Sequence, residues 1–86
     1  MAKKITFCPH AENKFKLFEQ HGLKFTKAQI SDAINHAEKI LSGEHSRKIA
    51  QKSLDLEYVL RVIFEETNEL ITVITFYPAK RRRYEY

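Results

Sequence analysis

A histidine and a lysine one helical turn apart, His10 and Lys14, and the terminal run Lys80-Arg81-Arg82-Arg83-Tyr84-Glu85-Tyr86 are the residues of this chain that could do chemistry. Histidine exchanges a proton near neutral pH and is the usual acid/base side chain. Arginine presents a planar fork of donors matched to phosphate oxygens. The last seven residues carry +3 of the formal net charge of +4, so the positive charge is concentrated at one end. Neutralising phosphates in this way is what drives nucleic-acid affinity. Tyr84 and Tyr86, interleaved with the cations, could stack on bases or take part in proton transfer. Each feature also has a plain reading. His10 could cap or pack a helix, Lys14 could be solvated, the tail could serve solubility, and the tyrosines could pack over a sheet edge.

Other chemistries find less support. Cys8, His10, His21, His36 and His45 do not fall into paired metal-ligand spacing, so no metal site is expected. Gly22 and Gly43 stand alone, which leaves no glycine-rich phosphate loop, and no cofactor is expected. A single cysteine cannot form an internal disulfide, and neither a leader nor an apolar run of about 20 residues is visible. A cytoplasmic protein that does not enter the membrane is the expectation. Eighty-six residues with 43% hydrophobic content suit one domain over residues 1–86, with one modest core.

The elements that must position these residues follow from periodicity. Lys4–Cys8 reads as a short strand ended by Pro9. Ala11, Phe15 and Phe18 define the apolar face of a helix from His10 to Gln20, closed by Gly22. Thr26 and Gln29 form a capping-box pattern, and Ile30, Ala33, Ile34, Ala37, Ile40 and Leu41 trace a second helix that runs to Gly43. Glu44–Ser53 could be a loop or an exposed edge strand, and a short strand is the reading favoured. Leu54–Glu65 alternates as a long one, with Arg61 off the core face, where it could reach a substrate groove or pair with Glu57 or Glu65; pairing is the reading favoured. Leu70–Tyr77, ended by Pro78, is rich in β-branched residues on both faces and reads as a central strand. The order β-α-α-β-β-β predicts an α+β fold in two layers, with two N-terminal helices packed on a mainly antiparallel sheet.

His10-Ala11 after a first strand, a basic residue at position 14, His21-Gly22-Leu23 between helices, and the hairpin Leu60-Arg-Val-Ile-Phe-Glu-Glu66 … Leu70-Ile-Thr-Val-Ile-Thr-Phe-Tyr-Pro78 before basic residues and a tyrosine form a pattern. It resembles a family of small domains of unknown function with a His-Ala-x-x-Arg motif, themselves similar to BrnT and RelE toxins. The resemblance covers nearly the whole chain. It implies a RelE/BrnT-like fold and a toxin acting as a metal-independent endoribonuclease, restrained by an acidic antitoxin. Two departures weaken phosphate clamping: Lys14 stands where the motif has Arg, and His21 where an Arg precedes the Gly.

Cleaving RNA without a metal requires aligning the 2′-hydroxyl with phosphorus, removing its proton, protonating the leaving oxygen and stabilising negative charge. On the resemblance, His10 is the acid/base, Lys14 and Arg81 act on the phosphate, and Tyr84 assists at the base or in proton transfer. His21, Arg61, Arg82, Arg83 and Tyr86 are the further RNA or phosphate contacts. The expected partners are RNA, free or as message on a ribosome, and an acidic antitoxin. The strand around Arg47–Lys52 could pair with an antitoxin or a second copy. The alternative is a noncatalytic module that binds nucleic acid or protein through the basic C-terminal segment.

Overall fold

The computed structural model describes residues 3–84, with Arg83 and Tyr84 described by their backbone alone; Tyr86 lies outside the described residues. The elements run β1 (Lys4–Phe7), α1 (Pro9–Gln20), α2 (Lys27–Asn35), β2 (Lys39–Ser42), β3 (Lys48–Ser53), β4 (Tyr58–Glu66), β5 (Leu70–Lys80) and α3 (Arg81–Tyr84). The five strands form one sheet in the order β1-β5-β4-β3-β2. Three neighbouring pairs are antiparallel and β1 runs parallel to β5. The expected α+β class and mainly antiparallel sheet are present.

The two long helices cover one face. α1 begins with Pro9, whose fixed φ suits the first helical turn. It ends in a Schellman-type cap, with Leu23 N–H bonded to Phe18 O at 2.8 Å and Gly22 N–H to Glu19 O at 3.0 Å. That cap requires φ of 80° at Gly22, a conformation glycine adopts without a Cβ penalty. Thr26 and Gln29 cap α2 reciprocally, as the sequence predicts. Ala11, Ile30, Ala33 and Ile34 then bury against Ala50, Leu60, Val62, Phe64 and Phe76 of the sheet. Phe15 and Phe18 pack on Phe76 with ring centroids 4.8 and 5.7 Å apart. Lys52 hydrogen-bonds to Asp32, tying β3 to α2 and holding the Asp32 carboxyl below its ordinary range.

Four expectations need correcting. The second helix stops at Asn35 instead of reaching Gly43, because His36 closes it and Ile40 and Leu41 instead pair with Ala50 and Ile49. The helical period that joined Ile40 and Leu41 to Ile34 was a coincidence of spacing, and the ladder with β3 outweighs it. Residues 48–53, expected as an exposed edge, lie between β2 and β4. The route to a homodimer or antitoxin through Arg47–Lys52 is therefore closed; the edge on that side of the sheet belongs to β2, whose Ile40 and Leu41 are 50% and 41% exposed. The long strand expected from Leu54 starts only at Tyr58, since Asp55 accepts hydrogen bonds from the N–H groups of Glu57 and Tyr58 and bends the chain. Finally, Pro78 does not end β5. β1 borders β5 only as far as Val73, and beyond it the strand has an open side where a missing N–H is tolerated.

Candidate functional site

α1 packs over β5, starting where β1 ends beside Val73. Cys8, immediately before the helix, donates its N–H to Val73 O at 3.0 Å and its thiol to Ile74 O at 3.1 Å. His10 follows in the first turn of α1 and is exposed. One turn later Lys14 is half-buried, with its ammonium 5.9 Å from the ring centre of Tyr77 and 5.4 Å from that of Phe18. Both distances allow a cation–π contact. Tyr77 is where the Lys14 side chain reaches the sheet.

The Tyr77 hydroxyl accepts a hydrogen bond from Arg61 Nε at 3.3 Å, and Arg61 Nη1 donates to Gln51 Oε1 at 2.7 Å. Gln51, Arg61 and Tyr77 are direct cross-strand partners on β3, β4 and β5, so they form one row on the sheet face opposite the helices. Gln51 is 3% and Arg61 7% exposed. The expected pairing of Arg61 with Glu57 or Glu65 is not what holds it here: Glu65 instead binds Arg47, with Oε1 3.1 Å from Nε. Buried and hydrogen-bonded on both sides, Arg61 is placed to fix the phenol of Tyr77.

The basic end is built differently. The Arg81 N–H bonds to Glu57 O at 2.8 Å, and its Nη2 donates to Asp55 O at 2.7 Å. Arg81 thus clamps the loop before β4. Lys80 and Arg82 are exposed beside it. Ile74, next to the start of α1, and Arg81 are separated along the strand by roughly 23 Å at the usual rise. His10 and Lys14 therefore lie together on α1, while Arg81 lies towards the other end of β5, and the two groups do not form one compact constellation. His21 is the exposed C-cap residue of α1, at the end of the helix away from His10. Arg83 and Tyr84 lie in α3 by their backbone, and their side chains lie outside the described part.

Sequence reasoning missed Tyr77 and Gln51. Tyr77 read as the end of a buried strand and Gln51 as one polar residue in a weak segment. The signal that would have found them is register, because both face Arg61 only once β3, β4 and β5 are aligned. Among the described residues no three His, Cys, Asp or Glu side chains gather into a metal-binding group, and no helix is long and apolar enough to cross a membrane.

No protein-family model, curated protein or solved structure matches the chain. The functional reading therefore rests on the residues themselves.

Proposed function

We propose that this domain is a RelE/BrnT-like toxin that cleaves RNA without a metal, with its reacting centre on α1 and the open side of β5. The observation that carries this reading is the convergence of Lys14 and Arg61, from two different elements, on Tyr77. In this mechanism His10 takes the proton from the 2′-hydroxyl as its oxygen attacks phosphorus. The bond from phosphorus to the 5′-oxygen breaks, and that oxygen takes the proton of the Tyr77 hydroxyl as it leaves, giving a cyclic phosphate and a 5′-hydroxyl; the proton held by His10 then returns to Tyr77 through water. Lys14 counters charge on the phosphoryl oxygens. Arg61 is a positioning residue that orients Tyr77. Lys80 and Arg82 hold the RNA backbone away from the reacting phosphate, and Arg81 supports the loop beside them. An acidic antitoxin suits the net charge of +4.

A second reading, a noncatalytic RNA- or protein-binding module, is favoured by the length of strand between His10 and the basic end. The test is cleavage of mixed-sequence RNA in chelator. Wild-type cleavage that falls at least about 100-fold in His10→Ala, with RNA binding retained, supports the nuclease. Absent cleavage, together with salt-sensitive binding lost only when Lys80 and Arg82 become Ala, supports the module.

A further inference from the structure

The loop between β3 and β4 forms a ridge with a cleft on either side, and the two clefts differ in chemistry. One, of about 360 Å³, is lined by Gly22, Leu23, Phe25, Leu54, Tyr58 and Pro78 together with Lys24 and Asp55. The other, of about 530 Å³, is lined by Leu56, Glu57, Lys80, Arg81 and Arg82. A mainly apolar slot with aromatic walls adjoins a slot in which, among the described residues, three cations outnumber one carboxylate.

We infer that the pair of clefts binds one unpaired nucleotide of single-stranded RNA, its base in the apolar slot and its phosphate against Lys80 and Arg82. The inference rests on the ribonuclease reading, whose site it extends. A nucleotide has an apolar, stackable half and an anionic half joined by a short sugar, which is the pattern these clefts present side by side. A bare anion has no use for the Leu23, Phe25 and Pro78 walls, and an apolar peptide has no use for the cations. Base stacking on Tyr58 or Phe25 is sequence-tolerant because every base has a π-face.

The ridge is built to keep its shape. The N–H groups of Leu54 and Asp55 both bond to Tyr58 O, at 2.9 and 3.2 Å. Asp55 Oδ1 accepts from the Glu57 and Tyr58 N–H groups, which fixes the turn at the base of the ridge. Arg81 fastens the ridge from the other side through Asp55 O and Glu57 O. A slot held open before binding costs less to fill. At its crest Leu56 is 93% exposed, an apolar side chain left in water between the clefts.

The position on β5 connects these clefts to the reacting centre. Tyr77, under Lys14, is followed at once by Pro78, which lines the apolar slot, and then by Lys80, which lines the cationic one. Successive strand residues are only about 3.3 Å apart. The bound nucleotide therefore lies further along β5 than the scissile phosphate, and the slot sets the direction in which RNA crosses the protein.

The test uses binding, so its outcome is independent of cleavage. The probe is a short 2′-O-methyl RNA, which lacks the attacking hydroxyl, beside an abasic oligonucleotide with the same number of phosphates. The full chain should bind the base-bearing strand at least about fivefold more tightly. The chain has no tryptophan, so Leu23→Trp gives a single reporter in the apolar slot. Its fluorescence should be quenched by the base-bearing strand and little changed by the abasic one. Equal affinity of the wild-type chain for the two strands overturns the inference, and so does quenching that an apolar peptide produces and RNA does not. Metal-free cleavage by the same wild-type preparation would leave the ribonuclease reading standing after either result.

Discussion

The two faces of β4 are buried in opposite ways. Leu60, Val62 and Phe64 point at the helices and enter an ordinary apolar core, whereas Arg61, one residue away from two of them, is almost as buried on the other face and is satisfied by Gln51 and Tyr77. The first face gains its stability from area removed from water and is indifferent to which apolar residues fill it, provided volume is kept. The second gains little by burying a charge and depends on each hydrogen bond being made. A polar row retained at that cost is where function is to be sought.

The largest effect that can sharpen this contrast is on the apolar face. Phe76 is fully buried under the rings of Phe15, Phe18 and Phe25. Phe76→Ala should cost about 3–5 kcal/mol in urea unfolding. On the other face, Arg61→Ala should cost about 2 kcal/mol by the same measurement, because Gln51 and Tyr77 are left without the donor. The triple change Gln51→Met, Arg61→Met and Tyr77→Phe should recover most of that stability while abolishing RNA cleavage. If Arg61→Ala is as costly as Phe76→Ala and the triple change recovers nothing, the row is part of the structural core and the contrast fails.

Smaller effects bear on the helix layer and on the end of the sheet. Thr26→Ala removes one half of the capping box and should destabilise by about 1 kcal/mol. Glu66 accepts from both Lys3 and Lys48 at 2.7 Å, and these bonds hold its carboxyl down at about 2 from an ordinary 4.5. A carboxyl depressed on folding stabilises the protein above the ordinary value, and the contribution fades as pH falls towards about 2. Acid unfolding of Glu66→Gln should therefore lose part of its slope between these limits. The difference at pH 7 should stay below about 1 kcal/mol, as is usual for pairs near the surface.

Much of the fold was legible in the sequence because the signals were local. The box at Thr26 and Gln29, Gly22 after α1, Pro9 after β1 and the apolar faces of β4 and β5 each act within a turn or a strand. The fate of Ile40 and Leu41 was not legible, since their spacing fits a helix and a strand equally and only the ladder offered by β3 decides. Of the candidate site, His10 and Lys14 were visible as neighbours because helix geometry makes them so. Their relation to Arg81 was not, because the distance between them is set by where α1 docks along β5.

The sequence by itself determined the residue types, the caps, the alternation and the concentration of charge at the C-terminal end, all of which depend on spacing along the chain. Only the tertiary structure decided that Gln51, Arg61 and Tyr77 share a row, that Lys14 reaches that row from a helix, and that Arg81 supports a loop while Lys80 and Arg82 face outward. These depend on strand register and on the docking of α1 along β5, and both are settled by which apolar surfaces can be buried together.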